Sequence, residues 1–84
     1  RKRFYRELLK IAFLRVIPSQ ANYFLCEVTS KYASSELATL LLEKYNILIK
    51  DCGTKKAFRN GEYIRIAVRS TLDNQRLIDA LREL

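Results

Sequence analysis

Apolar side chains recur at three- to four-residue spacing in three stretches of the chain, and each stretch predicts an amphipathic helix. The first helix covers residues 1 to 12, the second begins at a cap formed by Ser34 or Ser35 and ends near Tyr45, and the third begins at Thr71 as its cap. Their apolar stripes are, in chain order, Phe4, Leu8, Ile11 and Ala12; Leu37, Leu40, Leu41 and Tyr45; and Leu77, Ile78, Leu81 and Leu84.

Shorter apolar runs between the helices predict strands. Residues 22 to 28 are rich in aromatic and aliphatic side chains, so they form the first predicted strand. The run from Phe13 to Ile17 is interpreted as a strand end or a turn, because Pro18 follows it and cannot donate a ladder hydrogen bond. Ile47 to Ile49 predicts a brief strand after Asn46, a residue type that suits a left-handed helix C-cap.

The segment from Asp51 to Gly61 is basic and polar, and it predicts a loop. It closes with Asn60 and Gly61, a pair that is typical of tight turns between strands. The predicted element order is therefore α, β, α, β, β, α. That order favours an α+β fold with a single domain over residues 1 to 84: a two-layer small domain with a short mixed or antiparallel sheet and helices packed on one face.

The predicted strand after this turn, from Glu62 to Thr71, places an arginine in the middle of a half-buried pattern. Alternation predicts a core face of Ile64, Ile66 and Val68 and a second face of Tyr63, Arg65, Ala67 and Arg69. A guanidinium presents a rigid fork of donors that matches a carboxylate or phosphate, so Arg65 is a candidate anion ligand. A solvent-facing or structurally paired arginine is the other interpretation.

The chain has 84 residues and a formal charge of +7, and such a balance favours phosphate backbones. Much of the charge is near the start of the chain, at Arg1, Lys2, Arg3, Arg6, Lys10 and Arg15. The aromatic residues do not form an interleaved stacking motif, and no zinc finger or GxxG loop of the KH type is present. A free-standing basic α+β module that binds nucleic acid or a protein partner is therefore the alternative interpretation rather than the main one.

The residues for self-contained catalysis are few. With no histidine, the chain lacks the commonest general base, and Cys26 and Cys52 are not spaced as a metal or redox pair. No metal ligand is predicted. Because the sequence shows neither a signal-peptide pattern nor an apolar run of about 18 residues, no membrane partner is predicted and the expected location is cytoplasmic.

Three segments carry a resemblance: Pro18 to Phe24 (PSQANYF), Ile47 to Cys52 (ILIKDC) and Tyr63 to Val68 (YIRIAV). They resemble the P-S-x-A-N-F, I-x-I-R-D-C and L-R-I-x-V stretches of the C-terminal small domain of fold-type-I pyridoxal-phosphate aminotransferases, in the group of histidinol-phosphate aminotransferase and threonine-phosphate decarboxylase. Asp73 to Leu81 looks like the closing helix of that domain. The loop from Asp51 to Gly61 looks most like aminotransferase domains that are fused to sugar-phosphate nucleotidyltransferases.

The resemblance implies roles for particular residues. Arg65 would bind the carboxylate or phosphate of the substrate. Lys50 stands where the family commonly has a second anion-binding arginine, and it keeps the charge but loses the fork of donors. Asn22 would be an active-site neighbour, although hydrogen bonding at the start of a strand explains it equally well. Arg69 stands where the family often has a small residue, so both a site role and a structural role stay open.

The resemblance also implies a larger parent enzyme, a pyridoxal-phosphate-dependent aminotransferase or related decarboxylase. An aminotransferase of this kind moves an amino group between an amino acid or amino-acid phosphate and a 2-oxo acid. Its large domain, in the same chain, would supply the lysine that holds the cofactor as a Schiff base, and the parent would be a homodimer. The small domain would close over the substrate. These 84 residues alone are expected neither to bind the cofactor tightly nor to transaminate, and none of them is assigned a catalytic role.

Overall fold

A computed structural model of the protein describes residues 2–17, 22–54 and 61–84. The helices are α1 (Lys2–Leu9), α2 (Ser34–Tyr45) and α3 (Thr71–Glu83), and the strands are β1 (Leu14–Ile17), β2 (Tyr23–Val28), β3 (Lys50–Thr54) and β4 (Glu62–Ala67). The strands form one antiparallel sheet in the order β1-β2-β4-β3. The predicted α+β class is confirmed, and the sheet is antiparallel rather than mixed.

The core lies between the helices and one face of the sheet, because successive side chains of a strand project to opposite faces. The buried apolar residues of the strands are Leu14, Val16, Phe24, Cys26, Val28, Ile64 and Ile66, and those of the helices are Phe4, Leu8, Leu37, Leu41, Leu77, Ile78, Ala80 and Leu81. The opposite face, called the outer face below, carries Arg15, Tyr23, Leu25, Glu27, Lys50, Tyr63, Arg65 and Ala67.

The first helix is shorter than its apolar spacing predicts. α1 ends at Leu9 rather than at residue 12, and Ala12 is exposed instead of belonging to the stripe. The N–H of Ile11 donates to the carbonyl of Leu8 at 3.1 Å, so the chain turns here toward the sheet. The run before Pro18 is a full edge strand, with Leu14–Ile17 paired to β2. The predicted element order therefore lacked one strand.

The third strand begins later than predicted. Asn46 has the left-handed conformation expected of a C-cap, with φ 56°. The segment from 47 to 49 connects α2 to the sheet without forming a strand, and β3 occupies Lys50–Thr54, which were predicted as the start of a loop. Polar residues suit this strand because β3 is an edge, and its pairing is interrupted by a bulge at Asp51/Gly53. The remainder of the predicted loop, with Asn60, lies outside the described residues, except for Gly61.

The predicted N-caps of α2 and α3 are both wrong by a residue or more. The α2 N-cap is Ala33, whose backbone N–H donates to the Glu36 carboxylate at 2.8 Å. Ser34 is buried, and its N–H and hydroxyl both donate to a Glu62 oxygen, at 2.8 and 3.0 Å, which ties α2 to β4. In α3 the cap is Ser70, one residue before Thr71, because the Ser70 hydroxyl accepts from the Asp73 N–H at 3.1 Å.

Tyr63 is buried, although its position on the outer face predicts an exposed side chain. It shares the outer face with Arg65 but is only 2% exposed. Its ring covers Gly61, where a Cβ atom would lie 2.5 Å from the ring carbon Cε2. Gly61 therefore permits the close approach that buries this ring.

Candidate anion-binding site

The two cations that the sequence singles out lie side by side on the outer face. Arg65 in β4 and Lys50 in β3 are directly opposite in the antiparallel register, and both side chains are exposed. Directly opposed residues on neighbouring strands have their Cβ atoms about 4.5–5.5 Å apart, and like charges in that arrangement destabilise a sheet. An anion bound between the two side chains would offset that repulsion.

The guanidinium group of Arg65 lies over an aromatic ring. Its guanidinium carbon lies 5.0 Å from the centroid of the Tyr23 ring. β2 brings the ring there, because Tyr23 pairs with Ala67 and Leu25 pairs with Arg65, so Tyr23 and Arg65 are diagonal neighbours on one face. Tyr23 could not be identified from the sequence, because its position beside Arg65 depends on the register between two strands that are far apart in the chain.

Two other arginines show what a structurally paired arginine looks like in this fold. The Arg15 guanidinium donates to Glu27 at 2.8 Å, also on the outer face, and this ion pair raises the pKa of Arg15. The Nε of Arg69 lies 3.4 Å from a carboxylate oxygen of Asp73. Within residues 2–17, 22–54 and 61–84, no carboxylate forms such an ion pair with Arg65.

Asn22 and Arg69 lie beyond the two cations, at the end of the sheet. The backbone carbonyl of Asn22 accepts from the N–H of Val68 at 2.8 Å, which is hydrogen bonding at the start of β2. Arg69 leads into α3, where its backbone N–H donates to the Asn74 side chain at 3.0 Å. With its ion pair to Asp73, Arg69 has structural contacts that account for it. Neither residue stands opposite Arg65 in the sheet register.

Exposed apolar side chains lie close in sequence to the two cations. Leu48 is 76% exposed, two residues before Lys50, and Ala67 is exposed two residues after Arg65. Both line a cavity of about 170 Å³ that opens between the end of the sheet and the start of α3. Arg65 and Lys50 do not line this cavity, whose charged lining residues are Arg69, Asp73 and Arg76.

The cysteines add no chemistry to this site. Burial raises the pKa of the Cys26 thiol to about 12, so it stays protonated in the core. Cys52 is a free thiol at the bulge of β3. The described part of the chain holds no cluster of three or more acidic or cysteine side chains arranged for a metal ion. Nor does any of its helices have the length and apolar character needed to cross a membrane.

A family model for class I and II aminotransferases matches residues 1–84. The chain belongs to this family. Two curated relatives support this assignment. The histidinol-phosphate aminotransferase of Methanococcus aeolicus is 32% identical over 80 residues, which cover 95% of this chain and 21% of that protein. The threonine-phosphate decarboxylase of Salmonella typhimurium is 35% identical over 82 residues, which cover 98% of this chain and 21% of that protein.

A solved structure shows the same fold. A decarboxylase from Sulfurospirillum multivorans superimposes with a TM-score of 0.88 at 33% identity, over 98% of this chain and 21% of that one. The chain thus spans about a fifth of the length of these relatives. The predicted resemblance to histidinol-phosphate aminotransferases and threonine-phosphate decarboxylases is confirmed.

Enzymes of this family depend on pyridoxal phosphate, but the described residues do not fit that cofactor. A cofactor site needs a lysine in an enclosed pocket, with groups for the ring nitrogen and the phosphate. The described lysines are exposed, and none lines the cavity beside Leu48. One of them, Lys31, instead donates to the carbonyl of Leu84 at 2.8 Å. The described residues therefore carry no step of cofactor chemistry.

Proposed function

We propose that this chain is the C-terminal small domain of a pyridoxal-phosphate-dependent aminotransferase or related decarboxylase, and that it holds the anionic group of an amino-acid or amino-acid-phosphate substrate. Family membership supports the enzyme class. The names of the relatives, a histidinol-phosphate aminotransferase and a threonine-phosphate decarboxylase, support a phosphorylated substrate. The cofactor would be bound by a large domain of the same parent chain, which would form a homodimer.

One observation carries the proposal: the exposed Arg65 and Lys50 are directly opposed on the outer face, and neither forms an ion pair with a carboxylate of the described residues. Arg65 would make a bidentate, charge-assisted contact with a carboxylate or phosphate. Lys50 would add a point charge that is less selective for geometry. Closure of the small domain would then place the substrate anion and exclude water around it.

The test uses the full-length parent enzyme, loaded with cofactor, and the Arg65→Ala variant. The substrates are O-phospho-L-serine, O-phospho-L-threonine and L-histidinol phosphate, with L-serine and L-threonine as the unphosphorylated counterparts. We expect kcat/KM to fall about ten- to 150-fold for the substrate that the wild-type enzyme uses best, because a hydrogen bond to a charged group contributes about 1.5–3 kcal/mol. Lys50→Ala should reduce it less, and Lys50→Arg should preserve it.

Arg15→Ala is the matched control, since Arg15 is an exposed arginine on the same face that is already paired with Glu27. Its kcat/KM should stay within twofold of the wild-type value. Equal kinetics for Arg65→Ala and Arg15→Ala would reject the assignment of Arg65. A full-length protein that accepts none of the five substrates would reject the proposed substrate class.

A further inference from the structure

Tyr23 is the feature of the site that the proposed function leaves unexplained. Tyr23 is 37% exposed, and the apolar body of a tyrosine at the surface is able to make a specific contact. That contact is with Arg65, whose guanidinium carbon lies 5.0 Å from the ring centroid. We infer that Tyr23 is a positioning residue that holds the Arg65 guanidinium in the orientation that receives the substrate anion. The inference rests on the proposed function of Arg65.

The physical reason is pre-organisation. Arginine has a long, flexible side chain, and ordering it on a solvent-exposed face at the moment of binding weakens binding. A cation above an aromatic ring is attracted by the negative face of the ring. The Tyr23 ring therefore restrains Arg65 before the anion arrives, without using any of the hydrogen-bond acceptors that a carboxylate partner would supply. The N–H donors of Arg65 remain for the ligand, which they would not beside an acidic residue.

The sheet fixes the ring at this position from two sides. Tyr23 is the first residue of β2, and the hydrogen bond from the Val68 N–H to the Asn22 carbonyl, at 2.8 Å, anchors the strand immediately before it. Directly opposite Tyr23 in β4 is Ala67, whose single methyl group leaves space on the outer face. The ring can therefore lie toward Arg65, its diagonal neighbour. Asn22, on this inference, acts through its backbone.

The experiment is a double-mutant cycle in the full-length holoenzyme, with variants Tyr23→Leu, Arg65→Ala and the pair combined. The probe is O-phospho-L-serine, which carries both anionic groups that Arg65 could hold, and its apparent dissociation constant is measured by rapid titration. We expect Tyr23→Leu to weaken binding about two- to fivefold, the range of an exposed cation–π contact. In the Arg65→Ala background the same change should have no effect, because the ring then has no cation to hold.

Tyr23→Phe is the conservative variant, since it keeps the ring and loses only the hydroxyl. It should bind the probe within about 1.5-fold of wild type, and all variants should unfold at the same temperature. A loss on Tyr23→Leu that persists in the Arg65→Ala background would overturn the inference, because the ring would then act independently of the arginine. Unchanged binding in Tyr23→Leu would overturn it too. If Arg65→Ala itself leaves binding unchanged, the proposed function fails, and the positioning role fails with it.

Discussion

At the scale of single residues, burial decides which side chains can react. Cys26 is fully buried between the helices and the sheet, and its pKa is raised from 9.0 to about 12 by loss of solvation. Between those two pH values the Cys26 thiol therefore stays protonated in the folded protein, whereas in the unfolded chain the same thiol ionises from pH 9.0 upward. The contribution of this pKa difference to the free energy of unfolding is fully present below pH 9.0 and is lost as the pH rises toward about 12.

We predict that the free energy of unfolding of the 84-residue chain falls between pH 8 and pH 10, and that Cys26 accounts for about 1.4 kcal/mol of that fall. The Cys26→Ala variant should have a lower free energy of unfolding at pH 8, because the substitution leaves a small cavity. Between pH 8 and pH 10 its free energy of unfolding should fall by about 1.4 kcal/mol less than that of the wild type. Urea unfolding at the two pH values measures both. Since the two proteins differ only at position 26, the comparison isolates Cys26. Parallel losses would show that the thiol is not protected by burial.

At the scale of elements, the tie between α2 and β4 replaces the serine cap that the sequence suggested. Ser34 donates to Glu62 from both its N–H and its hydroxyl, whereas Ser35 is exposed. We predict that Ser34→Ala lowers the free energy of unfolding by about 1 kcal/mol more than Ser35→Ala, because a buried hydrogen bond is lost. Both changes gain the same helix propensity, so their difference in urea unfolding isolates the tie. Equal effects would mean that the Ser34 hydroxyl contributes nothing.

The same element shows which parts of the fold are predictable from sequence. The apolar stripes of α2 and α3 were predicted because a core position and its spacing are local properties, as Leu37 and Leu41 show, whereas the α1 stripe was extended too far, to Ala12. The α2 N-cap and β3 were misplaced because long-range pairing decided them: Glu62 recruits Ser34, and β4 selects Lys50–Thr54 as its partner. The α3 N-cap was wrong by one residue, because the local contact with the Asp73 N–H is made by Ser70 rather than Thr71. At the candidate site, the cations stood out in the sequence, but the ring beneath Arg65 depends on the register of β2 with β4.

At the scale of the whole molecule, the net charge of +7 is the property that could support a different function. Lys2, Arg3 and Arg6 are exposed along α1, which would attract a phosphate backbone. Other basic side chains near α1 are engaged in ion pairs, however, since Glu7 of α1 pairs with Lys10 and with Arg82 of α3. Among residues 2–17, 22–54 and 61–84, the outer face presents Arg65 and Lys50 as one local pair rather than as a long basic track. That distribution suits a small anion better than a polymer.

We therefore predict weak, non-selective binding of the 84-residue chain to nucleic acid, with a dissociation constant of about 10⁻⁴–10⁻⁶ M at physiological salt for labelled single-stranded and duplex DNA alike. Fluorescence anisotropy at low and physiological salt measures the affinity and its salt dependence. Arg65→Ala and the matched Arg3→Ala should weaken binding equally, because each removes one charge. A nanomolar affinity would contradict the prediction, and a loss confined to Arg65→Ala would identify the outer face as a nucleic-acid surface. It would also require a function other than holding a small substrate anion.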